Sequence, residues 1–121
     1  MKTKISALIT TFNESRFLEE CLSRLSFCDE IVLVDLGSTD NCLEIARKYG
    51  AKILFHELVP FAEKVRDYAI SNARNDWVLF TDPDMYFPRG IEHKIDEFIS
   101  DSIEIFTNNN NLLEIIYTQS S

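Results

Sequence analysis

With 121 residues, 45% of them hydrophobic and 26% charged, the chain has the size and make-up of one compact domain with a real core, and it is too short for two. Twenty acidic side chains against 12 lysines and arginines leave a formal net charge of −8. The basic residues form no stripe, which argues against nucleic acid or an anionic membrane as the main partner. An acidic chain that handles an anionic ligand then needs a metal ion or helix N-termini to offset the repulsion.

Ile5-Ser6-Ala7-Leu8-Ile9 opens as a nearly continuous apolar run, the mark of a strand covered on both faces. Thr10 to Glu14 follow as a polar loop, in which Asn13 or Ser15 is placed to cap a helix. Phe17, Leu18, Cys21, Leu22 and Leu25 then recur at helical spacing. A second strand, Ile31 to Val34, ends in Asp35, and Gly37-Ser38-Thr39-Asp40 leads into a second helix. There Asn41 and Glu44 have the spacing of a capping box, and Gly50 is a natural left-handed stop.

Lys52 to Phe55 read as a third short strand, and Pro60 suits the first turn of a third helix carrying Phe61, Val65, Ala69 and Ala73 on one face. Val78 to Thr81 form a fourth strand that ends abruptly in Asp82-Pro83-Asp84. A fourth helix starts at Pro88, with Ile91, Ile95, Phe98 and Ile99 inward. The runs 103–106 and 112–117, either side of Asn108 to Asn111, read as the arms of a C-terminal hairpin. The three cysteines, Cys21, Cys28 and Cys42, lack CxxC spacing and read as buried thiols of a reducing compartment. No run is long enough to span a membrane, and the start lacks a signal-peptide pattern.

Strand and helix alternating over short connections predict an α/β fold with a mainly parallel sheet flanked by helices. In such sheets ligands bind beyond the carboxyl ends of the strands, at the switch in strand order. The polar residues after the strands (10–14, 35–40, 56–57 and 82–84) must therefore meet at one edge. Pro83 fixes its own φ and pushes Asp82 towards an extended conformation, so the two carboxylates sit on a stiff turn. A stiff carboxylate pair suits a hard divalent cation shared with phosphates, although Asp and Pro are also ordinary turn residues.

Asp35 has two readings, an acceptor for a base or ribose, or a turn-former for Gly37 and Ser38. Asp40, at a helix start, reads as structural. Arg66 offers a fork of donors for phosphate, or an ion pair with a neighbouring acid. Phe12 either stacks on a base or packs on its own fold; His56, after a strand, either reaches the site or is an ordinary loop histidine; His93 reads as a surface histidine on a helix.

Ile9-Thr10-Thr11-Phe12-Asn13-Glu14, Val34 to Asp40, and Trp77 to Asp84 together resemble the family 2 glycosyltransferases, whose nucleotide-sugar-binding half has the Rossmann-like GT-A fold. Phe61-Ala62-Glu63 and Arg66 to Ala69 resemble the helix segment before that family's Asp-x-Asp strand. The order and spacing of these four segments match over roughly the first ninety residues, with closest similarity to bacterial members that act on lipopolysaccharide cores. The resemblance implies a single nucleotide-sugar-binding domain over 1–121, short relative to the family.

It further implies that Thr10, Phe12 and Asp35 take the nucleoside, that Arg66 lies near the nucleotide, and that Asp82 and Asp84 hold a divalent metal, manganese or magnesium. Asp82 would also face the ribose. The partners implied are a nucleoside-diphosphate sugar, uridine first, and a glycan or lipid acceptor; the location implied is the cytoplasm, with peripheral association at the inner membrane face. Leu36 stands where the family usually has a polar residue, and Asp67 where asparagine is common. The family's catalytic base lies beyond the matched segments, and the catalytic residue stays unassigned; Glu92, Asp96 and Glu97 share a helix whose apolar face is set by Ile91, Ile95, Phe98 and Ile99, and are expected to face solvent. The chain then reads as a fragment, a degenerate copy, or a protein completed by another chain, with a two-fold dimer the simplest association. A non-catalytic nucleotide-sugar-binding module is the alternative to an enzyme.

Overall fold

The structure, a computed structural model, describes residues 4–59, 62–97 and 114–115. Its elements in chain order are β1 (Ile5–Thr11), α1 (Ser15–Ser23), β2 (Glu30–Asp35), α2 (Cys42–Lys48), β3 (Lys52–Phe55), α3 (Ala62–Ser71), β4 (Trp77–Thr81), α4 (92–97) and β5 (Glu114–Ile115). The strands lie in the order β3-β2-β1-β4-β5, and every pairing is parallel.

The apolar runs become strands because both sheet faces are covered. Ile5, Ala7, Ile9, Leu33 and Leu79 point to one face, where Leu18, Cys21 and Leu22 of α1, Cys42 and Ala46 of α2, and Ile91 and Ile95 at α4 pack on them. Leu8, Val32, Val34, Val78 and Phe80 point to the other, against Val65 and Ala69 of α3. Strand residues alternate faces, so a strand buried on both sides has no place for a polar stripe. Two buried polar residues stand in β1, each with a partner: the Ser6 hydroxyl donates to Glu30 at 2.8 Å and accepts the Asn75 amide at 3.2 Å, and the Thr11 hydroxyl lies 3.3 Å from the Cys42 thiol.

The helix starts depart from the expected caps. Neither Asn41 nor Glu14, the residues at the two N-caps, makes a side-chain capping bond. Asp40 does the work for both helices: Oδ2 accepts the Ser15 amide at 2.9 Å and Oδ1 the Cys42 amide at 3.0 Å. Sequence spacing missed this because the cap of α1 comes from the loop after β2. The stop at Gly50 stands as expected, with φ 71°.

Val65 and Ala69 are buried as the third helix's spacing required, and Ile91 and Ile95 as the fourth's; Pro60, Phe61, Phe98 and Ile99 lie outside the described residues. So does the first arm of the expected hairpin. From the second arm, Glu114–Ile115 pairs parallel to β4, with Val78 opposite Glu114 and Leu79 opposite Ile115. Among the described residues, no helix is long and apolar enough to cross a membrane.

Candidate functional site

The chain moves from β1 to β2 to β3 in one direction and then returns through α3 to place β4 on the other side of β1. The switch in strand order therefore falls between β1 and β4, where the loops after the two strands diverge and leave a crevice. A cavity of about 560 Å³ opens there, lined by Leu8, Thr10, Glu14, Arg66, Phe80 and Asp82 among others. A larger concavity, about 850 Å³, lies at the opposite edge around the starts of β2 and β3 and the end of α3. The strand ends and the acidic turn make the smaller cavity the functional candidate, since no strand presents its carboxyl end to the larger one.

The acidic turn is pinned from below. The Asp82 carbonyl accepts the Met85 amide at 2.9 Å, the Thr81 hydroxyl at 3.4 Å and the Cys21 thiol at 3.5 Å. Pro83 is buried between two exposed carboxylates, Asp82 and Asp84. Farther along, Phe87 is fully buried, meets Phe27 edge-on at 6.0 Å, and its carbonyl takes a hydrogen bond from Arg24 at 3.3 Å. The backbone around the turn is thus anchored on Cys21 of α1 and on Arg24 and Phe27 just after that helix.

Charge in the crevice is crowded. Partial burial raises the Asp82 carboxyl above its ordinary range, Asp84 raises it further, and Arg66 opposes both. Glu14 is likewise raised, first by burial and then by Asp84 and Asp82, with the Phe12 amide and Arg16 pulling the other way. Sequence reading placed Glu14 in the loop after β1 without giving it a role; its half-buried position facing Asp82 depends on how the loop folds back. The only hint in the sequence was its place at a strand's carboxyl end.

Arg66 projects from α3 with its guanidinium 4.6 Å from the centre of the Phe80 ring, so the cation lies over an aromatic face at the crevice wall. Thr10 is half-buried in the same wall; Phe12, in the loop after β1, is 40% exposed, and neither it nor Asp35 is among the residues that line the cavity. His56 is held aside: its Nδ1 pairs with the Glu57 carbonyl at 2.8 Å, and its ring lies against Tyr68. His93 is exposed on α4.

Asp35 combines both of its readings, one on each oxygen. Its Oδ2 accepts the amides of Gly37 and Ser38, each at 3.0 Å, and so forms the turn. Its Oδ1 is buried and has no hydrogen-bond partner, although the residue is only 2% exposed. Burying a carboxylate oxygen unpaired costs on the order of 1–3 kcal/mol or more, so the oxygen calls for a donor from outside the chain, a ligand, ion or water.

Among the described residues no three His, Cys, Asp or Glu side chains form a ready metal cage. The pair Asp82 and Asp84 nonetheless fits a hard cation of the magnesium or manganese kind, which takes one or two carboxylates and completes its shell from phosphates and water. The mutual repulsion that raises Asp82 is what such an ion would relieve. The thiols do not compete as ligands: burial pushes Cys21 and Cys28 up to about 12. Beyond Asp84, Glu92 and Asp96 are half-buried rather than fully solvent-facing as expected, and Glu97 is exposed; none of them lines the crevice.

Comparison with known proteins places this geometry. Residues 6–109 match the model of the family described as glycosyl transferase family 2. An uncharacterized glycosyltransferase of Rickettsia conorii is 34% identical over 94 residues, 77% of this chain and 33% of the relative. A lipopolysaccharide core biosynthesis glycosyltransferase of Rhizobium meliloti, LpsC, is 27% identical over 109 residues, 86% of this chain and 40% of the relative. The chain thus spans about a third of the length of the first relatives it matches.

Among solved structures, Staphylococcus aureus TarS 1–349 in complex with UDP superposes with a TM-score of 0.65 at 29% identity, over 82% of this chain and 32% of that one. Glucosyl-3-phosphoglycerate synthase from Mycobacterium tuberculosis, solved with Mn2+, UDP and glucosyl-3-phosphoglycerate, gives 0.65 at 20% identity, over 84% and 40%, and speaks for the fold. The parallel sheet with its switch at β1 and β4 is the Rossmann-like GT-A arrangement, and the chain belongs to glycosyl transferase family 2.

Proposed function

We propose that this chain is the donor-binding domain of a glycosyltransferase, and that it takes a nucleoside-diphosphate sugar at the carboxyl edge of β1, β2 and β4. The observation that carries the reading is the bare, buried Oδ1 of Asp35 beside an oxygen already saturated by two amides. A nucleoside N–H or ribose hydroxyl supplies the missing donor. Phe12, exposed in the loop after β1, offers a face for the base, Thr10 its hydroxyl, and Arg66 a cation towards the diphosphate. Uridine is the first choice of base because the TarS structure was solved with UDP.

Asp82 and Asp84 would hold a divalent ion, whose chemistry is to offset the charge that develops on the departing diphosphate. The chain's own part is to fix those carboxylates on the pinned turn and to exclude water from the apolar wall of Leu8, Val65 and Phe80. A glycan or lipid acceptor fits the lipopolysaccharide-core relative, and peripheral attachment at the inner membrane face would bring a lipid acceptor within reach. The acceptor's proton needs a base, and none of the described carboxylates beyond Asp84 lines the crevice. That observation favours, as the second reading, a module that binds donor without transferring sugar.

Titration calorimetry with uridine diphosphate, with and without manganese, tests the site on the wild type and on Asp35→Asn. Binding should be much weaker without the metal, and the variant, which keeps the shape but turns one acceptor into a donor or weakens it, should lose about tenfold or more in affinity. Equal affinities would remove Asp35 from the site. Transfer assayed with lipopolysaccharide-core acceptor separates the enzyme from the binding module.

A further inference from the structure

The two loops that carry Phe12 and Asp35 are stitched together by side chains that touch neither the crevice wall nor the acidic turn. Asn13 has φ 52°, the one non-glycine residue among those described with a positive φ, a conformation that asparagine tolerates better than bulkier residues. In that conformation its amide donates to the Ser38 hydroxyl at 2.9 Å, and its side-chain oxygen accepts the Thr39 amide at 2.7 Å and the Thr39 hydroxyl at 3.4 Å. Ser38 in turn donates its own amide to Asp35 Oδ2. The chain of bonds therefore runs from Asn13 through Ser38 to the carboxylate whose other oxygen is bare. Immediately before Asn13 stands Phe12, 40% exposed.

We infer that Asn13 is a positioning residue of the nucleotide site, setting the distance between the Phe12 face and the Asp35 carboxylate through its left-handed backbone and its bonds to Ser38 and Thr39. The inference rests on the nucleotide reading above and adds to it a residue that would not touch the ligand. The bonds that Asn13 makes lie at the surface, where their joint loss does not unfold a sheet buried on both faces. What their loss changes is the relative placement of two loops, and a displacement of about 1 Å in a positioned group can cost up to about 100-fold.

Three variants separate backbone from side chain. Asn13→Gly keeps the left-handed conformation and loses the acceptor, Asn13→Asp keeps both, and Asn13→Ala loses both. Each is titrated with uridine diphosphate and manganese at a temperature well below its unfolding midpoint, and the midpoint is recorded alongside. Asn13→Gly should bind about tenfold more weakly with a midpoint close to the wild type's, Asn13→Ala more weakly still, and Asn13→Asp should return close to wild-type affinity. Wild-type affinity in folded Asn13→Gly would overturn the positioning role while leaving the nucleotide site standing. No binding by the wild type would overturn both.

Discussion

Asp40 and Ser15 are 25 positions apart, yet the carboxylate of Asp40 accepts the Ser15 amide at 2.9 Å. The same carboxylate takes the Cys42 amide at 3.0 Å on its other oxygen, so one side chain closes the starts of α1 and α2. Burial raises its carboxyl, but the hydrogen bonds from Cys42 and Ser15 more than offset this and hold it down at about 2. Replacing a capping side chain by alanine costs about 0.5–2 kcal/mol, and Asp40→Ala should fall at the upper end because two helices lose an acceptor.

The pH dependence of that loss has a definite sign. Because the folded value is depressed from 3.8 to about 2, the stabilisation is fully present above about pH 4 and is lost as pH falls through about 2. In urea unfolding between pH 7 and pH 2, the gap between wild type and Asp40→Ala should be constant near neutrality and narrow in acid. A gap that widens in acid would contradict the assignment of the bonds.

Asp82 predicts the opposite sign. Burial and Asp84 raise it in the folded chain, so its ionised form is destabilising, and the penalty sets in as pH climbs from its unfolded value through its raised folded one. Asp82→Asn should therefore make the metal-free protein more stable at pH 7 and no more stable at pH 3. Thermal melts at the two pH values check it, and a variant less stable at pH 7 would mean that the carboxylate is held by bonds rather than opposed by charge.

Asp84 should matter only when metal is present. Two phosphates and a carboxylate repel one another unless a cation lies between them. Asp84→Ala is expected to weaken uridine diphosphate binding by about tenfold or more with manganese and to leave the weak metal-free binding unchanged. Calorimetry in both conditions decides, and equal loss in the two would assign Asp84 to folding instead.

Phe87 tests whether the acidic turn is anchored from behind. It is 1% exposed, packs edge-on against Phe27 and joins the cluster of α1 and α4. Phe87→Ala should cost about 3–5 kcal/mol by guanidinium denaturation, the range for a large buried aromatic. A cost below about 1 kcal/mol would show that the segment after Asp84 is not part of the core.

The sequence by itself determined the sheet and the edge at which the candidate site lies. Apolar runs at Ile5, Ile31 and Val78 can be buried only between two helix layers, and parallel strands deliver their carboxyl-end residues to one edge whatever the details of packing. Hence Thr10, Phe12, Asp35, Asp82 and Asp84 were legible as candidates at that edge, Arg66 entered as a fork of donors on the third helix, and the fourfold motif match pointed to the family that comparison then supplied.

Only the tertiary structure decided how each side chain spends its hydrogen bonds. Asp35 divides its two oxygens between a turn and an unfilled acceptor, and local spacing cannot tell those apart because both place an Asp before Gly and Ser. Asp40 caps a helix it does not precede, Asn13 reaches across to Thr39, and Glu14 shares its charge with Asp82 and Asp84. These are contacts between loops brought together by the pairing of β1 with β2 and with β4. A linear pattern records periodicity within one element; contacts between loops depend on strand order and register, which form only when the whole sheet does.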